Sequence, residues 1–290
     1  MLNQQFRGNL DPLDLLSRAE HGDAREIVSD HCQSPSRRSG IKTLFFIKND
    51  NPSDFILSRD SMGAEFVMFA RLDEDRRVCN IFHRKPADPQ FSENRPDFRL
   101  SWDENHQFWS VCVCSDSLIC DKCLYRSRNV SVINEKPTIL SIEQGMQTSE
   151  KGDHHWFYMD IEGVSTEFGD RAVECRRCRN GADSSPIGNH RGSFSIPSDS
   201  ISFGRPPLRL KSVIPSLTKT GELSIRFLTR DRSVLPSARN MQISGPNPEG
   251  VNEIVFQFIK ISALKFNIDF RAPLSPIQAF CIALSTNYWK

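Results

Sequence analysis

The sequence predicts a mainly β protein, a closed antiparallel barrel wide enough to hold its own C-terminal helix. Two observations carry this. One is a run of short stretches rich in β-branched and aromatic residues, several alternating apolar with polar. The other is "PLSPIQAFCIALS" at 273–285, a helical stretch with no polar face. Ser275 before Pro276 reads as an N-cap with proline at the first helical position. Between Ile277 and Leu284 the single polar residue is Gln278, whose amide is expected to bond neighbouring strand backbone. A bilayer span needs roughly 20 apolar residues, and an interfacial helix needs a charged face. Left in water, Ile277, Phe280, Ile282 and Leu284 would lose about 1.5–3 kcal/mol each. Such a helix belongs inside protein.

The strands follow in order. "IKTLFFI" (41–47), "EFVMFA" (65–70), "RVCNIFH" (77–83), "FWSVCVC" (108–114), "NVSVIN" (129–134) and "HWFYMDI" (155–161) come first. "ELSIRFL" (222–228), "NEIVFQFI" (252–259) and "LKFNIDF" (264–270) come after. In the last, Phe266, Ile268 and Phe270 share one face and Lys265, Asn267 and Asp269 the other. Leu223, Ile225 and Phe227 alternate with Ser224 and Arg226 in the same way. Period-two patterning with one wet face belongs to antiparallel sheet. A barrel of about eight strands is filled by its own side chains, so one that encloses a helix must be wider, and closure removes exposed edges.

Outside the strands, residues 1–40 read as a short helix over 11–20 followed by the polar linker "SPSRRSG" (34–40). The barrel domain spans 41–290. It carries a polar insertion at about 144–207 that holds one or two strands of its own.

Composition narrows the function. The 290 residues carry 37 basic and 36 acidic side chains, net +1, so no global field draws the chain to nucleic acid or an anionic membrane. Anion recognition must be local. Nine cysteines, an odd count, and no signal-peptide pattern among the first twenty residues predict reduced thiols in a cytosolic or nuclear protein. No stretch is long enough to cross a membrane as a helix.

"FNIDFRAPLSPIQAFCIALS" (266–285) resembles the C-terminal motif of the tubby-like proteins. "SARNMQIS" (237–244) with "EIVFQF" (253–258), "SVCVCSDS" (110–117) with "RNVSVI" (128–133), and "SMGAEFVMF" (61–69) resemble further family strands, in family order. The resemblance runs from about Ile41 to the C-terminus, interrupted by the insertion. It implies a closed barrel of about twelve strands around a central hydrophobic helix. It also implies a non-enzymatic adaptor that binds phosphoinositides, chiefly phosphatidylinositol 4,5-bisphosphate, in a basic cleft on the barrel's outside. Such adaptors tether to the plasma membrane and serve signalling or the trafficking of membrane proteins, including to cilia.

By the same resemblance, the family's basic residue before the Met-Ser-Val-Ile strand falls on Arg128, with Arg126 on the same approach. The family's Lys-x-Arg pair, in an ungapped match to "FILSRDSMG" (55–63), falls on Ile56 and Ser58, with Arg59 one place out. A phosphate ligand set of Arg128, Arg126 and Arg59 is therefore expected, with Arg205, Arg209 and Lys211 as a possible extension of the basic face. The alternative is a protein-interaction scaffold or nuclear regulator that kept the barrel and lost the lipid.

Other constellations are weaker. "CDKC" (120–123) and "CRRC" (175–178) have the chemistry of a four-thiolate zinc site, but 51 residues separate the pairs where about 15–20 is usual. Cys112 sits at a strand position, and Cys79 and Cys281 read as core packing. His154 and His155 have no spaced partner. No metal, cofactor or catalytic residue is assigned, since the chain shows no phosphate-cradling glycine loop, nucleophile elbow or paired carboxylates.

Overall fold

On the first strand, β1 (Lys42–Lys48), Leu44 and Phe46 are buried while Phe45 and Ile47 are half-buried, the inward–outward alternation that makes a barrel wall. The computed structural model describes residues 41–114, 138–149, 155–164, 208–219, 221–227, 234–246 and 251–289. The strands after β1 are β2 (Asp54–Ser58), β3 (Phe66–Asp73), β4 (Val78–Phe82), β5 (Phe98–Trp102), β6 (Phe108–Val113), β7 (Thr138–Thr148) and β8 (His155–Val164). Then come β9 (Leu208–Ser212), β10 (Ser216–Leu217), β11 (Leu223–Ser224), β12 (Met241–Pro246), β13 (Asn252–Lys260) and β14 (Lys265–Phe270). One helix, α1 (Pro276–Ser285), and a short 3-10 turn (Thr286–Tyr288) end the described chain.

Twelve of these strands form a closed ring in the order β1-β14-β13-β12-β9-β8-β7-β6-β5-β4-β3-β2. Each neighbouring pair is antiparallel, and β1 closes the ring by pairing both β14 and β2. The small strands β10 and β11 pair with each other outside it.

The helix is the core. All ten residues of α1 are buried, with Ile277, Phe280, Cys281 and Ile282 fully so. Phe280 meets Phe46, whose ring also packs against Phe55, Phe258 and Phe266 at centroid separations of 5.4–6.0 Å. Edge-on packing of this kind adds to area burial. The local start is as the sequence predicts. Ser275 caps the helix in a full capping box with Gln278, and proline occupies the first turn.

Both polar amides that touch the helix tie it to the wall at β7. Gln278 Nε2 donates to the Ile139 carbonyl at 3.0 Å, as expected of that residue. At the other end Gln144 Nε2 donates to the Ser285 and His106 carbonyls at 3.3 and 2.9 Å, and its Oε1 accepts from Trp289 Nε1 at 3.2 Å. Two fixed points on one strand set the depth of the helix in the barrel.

Three sequence expectations need correction. The polar face of β14 is not wet: Asn267 and Asp269 are 1% and 5% exposed. Asp269 is held by the Thr43 hydroxyl at 2.6 Å. Chain from 223–227 and from 234–240 lies over the neighbouring wall, where Gln242 Nε2 donates to the Arg226 carbonyl and Leu235 N–H to the Lys260 carbonyl. Second, in "ELSIRFL" only Leu223 and Ser224 are strand, and they lie outside the barrel. The alternation there is real, with 223, 225 and 227 half-buried and 224 and 226 exposed, but residues 225–227 pack without a ladder. Third, residues 144–148 and 155–164 of the stretch read as an insertion belong to β7 and β8, which pair along eight positions of the barrel wall. The N-terminal helix and linker, "NVSVIN", and the rest of the stretch at 144–207 lie outside the described residues, apart from Ser149.

Candidate functional site

The family's Lys-x-Arg position lies at the end of β2, where a bulge shifts the register to β3 between Leu57 and Ser58. Ile56 is half-buried and Ser58 is fully buried. The Ser58 hydroxyl donates to the Glu65 carbonyl at 2.8 Å and to Asp60 Oδ2 at 3.1 Å. Neither position carries a charge.

The turn from 59 to 65 is organised around its own anion. Asp60 accepts from the backbone N–H of Met62 at 2.7 Å, of Ala64 at 3.3 Å, and of Glu65. Gly63 makes the turn possible with a φ of +79°. These hydrogen bonds, chiefly that from Glu65, lower the Asp60 pKa from 3.8 to about 2. Backbone donors that converge in this way are the kind that hold phosphate elsewhere; here a carboxylate takes them. Arg59 lies alongside, 20% exposed, with Glu65 Oε2 3.8 Å from its guanidinium.

Because the folded Asp60 pKa lies below the unfolded one, its contribution to stability is present above about pH 4 and lost as pH falls toward 2. Asp60→Asn should therefore flatten the fall in thermal midpoint between those values. Melting wild type and variant at half-unit pH steps checks it.

Arg126 and Arg128 lie between β6 and β7, outside the described residues, as do Arg205, His154, Cys120, Cys123, Cys175 and Cys178. His155 is exposed, its Nδ1 3.0 Å from the Thr148 hydroxyl. Cys79 and Cys281 are free thiols buried in the core, and the sulfurs of Cys112 and Cys114 lie 4.0 Å apart. Among the described residues, no helix is long and apolar enough to cross a membrane.

Arg209 and Lys211 do not extend a basic face. Arg209 pairs with Glu162 at 2.8 Å and Lys211 faces Asp160 at 3.7 Å. Both stand on β9 beside a cleft of about 450 Å³ over β5–β9, whose lining includes Asp103, Glu143, Asp160 and Glu162 against Arg209. That surplus of carboxylates repels phosphate.

Sequence reasoning missed a second charged cluster, at one rim of the barrel. Inward positions along β1 run Leu44, Phe46, Lys48, and along β13 they run Phe256, Phe258, Lys260. Each row ends in lysine at the rim where the central helix emerges. Arg239, two residues before β12, joins them. Its guanidinium donates to Asn287 Oδ1 at 3.1 Å and to the Asn287 carbonyl at 2.7 Å, while Lys48 Nζ donates to the same Oδ1 at 3.4 Å. Burial first, then the positive charges of Arg239 and Lys260, bring the Lys48 pKa down to about 8. Burial also lowers that of Arg239. The signal lay in the parity of the two strands, because a lysine continuing an inward row cannot be an ordinary outward charge.

No curated protein matches the chain. The family model described as Tub family matches residues 204–287, the stretch that contains β9, β12, β13, β14 and the central helix. That match falls on four consecutive strands of the twelve-stranded ring and on the helix it encloses, and over this stretch the chain is similar to the Tub family.

Proposed function

We propose that the chain is a non-enzymatic adaptor of the tubby type. It binds a phosphoinositide headgroup of the phosphatidylinositol 4,5-bisphosphate class and sits in the cytoplasm, peripherally at the plasma membrane. There it links the membrane to signalling or to the trafficking of membrane proteins, ciliary ones included. The observation that supports this reading is the Tub match on the barrel's last strands and its central helix. Arg128 and Arg126 are the headgroup ligands of the reading, with Arg59 the nearest cation at the β2–β3 turn. Arginine suits the role because its planar fork meets two phosphate oxygens at once.

One observation favours a second reading, a protein scaffold or nuclear regulator that kept the barrel without the lipid. Ile56 and Ser58 stand where the clamp would be, and Asp60 takes the turn's backbone donors. Flotation of the full chain with phosphatidylcholine vesicles, with and without the bisphosphorylated lipid, separates the two. The adaptor reading expects lipid-dependent flotation that Arg128→Ala lowers about tenfold or more, the scale of one lost charge-assisted contact. Equal and negligible flotation of wild type and variant would leave the scaffold.

A further inference from the structure

The rim cluster of Lys48, Arg239 and Lys260 has a consequence of its own, independent of Arg128. Three cations from separate parts of the chain gather where the helix leaves the barrel, each half-buried. Lys48 and Arg239 converge on a single neutral oxygen, Asn287 Oδ1. Among the described residues no carboxylate forms an ion pair with any of the three, Asp50 two residues beyond Lys48 included. Part of the arrangement is structural, since cations suit the carbonyl end of a helix and Arg239 bonds a carbonyl there. That does not account for three mutually repelling charges in a partly dry rim, because one arginine meets the need.

We propose that this rim is an oxyanion site whose ligand is a phosphate group, held between Lys48, Arg239 and Lys260 at the mouth of the barrel. Phosphate offers several oxygens to separate donors and neutralises the mutual repulsion, whereas one carboxylate would leave positive charge over. The surroundings indicate where such a phosphate is carried. Leu235, 39% exposed, donates its N–H to the Lys260 carbonyl, and Leu264, 48% exposed, accepts from the Lys48 N–H. Val234, 38% exposed, adjoins Leu235. Exposed aliphatics flanking a cation cluster match the layered chemistry of a membrane surface, headgroup phosphate beside hydrocarbon.

The test uses the full chain and the variants Lys48→Met and Lys260→Met. Both remove a charge that its neighbours oppose, so the folded barrel is retained, and near-ultraviolet circular dichroism verifies this. One arm titrates inorganic phosphate against sodium chloride of equal ionic strength and reads the thermal midpoint. The other measures flotation with vesicles containing a phosphomonoester lipid, and with vesicles in which phosphatidylserine supplies the same charge. In at least one arm wild type should respond to phosphate beyond matched charge, and each variant should weaken that response by about tenfold. A response in the first arm alone assigns a free phosphate, and one in the second assigns a lipid headgroup. Variants that respond like wild type, or a wild type that responds in neither arm, overturn the proposal. Flotation abolished by Arg128→Ala but untouched by Lys48→Met and Lys260→Met rejects the rim and leaves the adaptor reading standing; the opposite pattern does the reverse.

Discussion

Phe280→Ala should destabilise the protein by about 3–5 kcal/mol, the range for deleting a fully buried aromatic ring and leaving its cavity. The ring is 0% exposed and sits on the helix that fills the barrel, against Phe46. The surrounding wall is a hydrogen-bonded ring of twelve strands and cannot collapse inward to close the gap. For a domain of this size the loss corresponds to a drop in thermal midpoint of roughly 10 °C, read by calorimetry. Removing residues 275–290 is the limiting case. The wall would then surround an unfilled interior, and the truncated chain should not fold.

Gln144→Leu should cost about 3 kcal/mol by another route. The side chain is 4% exposed and makes three hydrogen bonds, with the Ser285 and His106 carbonyls and with the Trp289 indole. Leucine preserves the approximate volume but takes the Gln144 partner from the buried Ser285 carbonyl and Trp289 indole N–H, at about 1–3 kcal/mol for each that water cannot reach, while the His106 carbonyl keeps Trp109 Nε1 at 2.9 Å. Chemical denaturation measures the loss. Hydrogen exchange should show it concentrated at the end of the helix and the following turn, because Gln278 still anchors the start to Ile139. A loss below about 0.5 kcal/mol would mean that Gln144 does not fix the helix.

The helix was legible in the sequence because every local signal agreed: Ser275, Pro276, and an apolar surface too short for a bilayer. The strands read from alternation were legible where one face is inside. β2, β5, β7, β9 and β12 were harder to find from pattern alone. β2 opens on Asp54, which is buried and bonded to Arg71 at 2.8 Å, so a charge stands where an apolar residue would mark a strand. In β7 the polar residue Gln144 faces the interior to hold the helix. The outer face of β14 looked solvated because nothing local to "KFNIDF" reveals that the neighbouring wall is covered by distant chain.

The candidate site divides similarly. That Ile56 and Ser58 replace the clamp could be read by alignment. That Asp60 gathers the turn's N–H groups could not, since it depends on backbone directions across a bulge. Lys48, Lys260 and Arg239 are 212 and 191 residues apart from first to second and first to third in sequence, and only ring closure and the helix's exit point bring them together.

Thiol labelling at Cys281 tests the enclosed helix most directly. The residue is 0% exposed within α1, and burial holds its pKa well above the usual thiol range, so both access and thiolate are denied. Labelling native protein and resolving modified peptides by mass spectrometry should find Cys281 unmodified until the whole barrel unfolds, then modified at the rate of a free thiol. Modification of Cys281 in the native state at the rate of an exposed cysteine would place the helix outside the barrel and contradict the account.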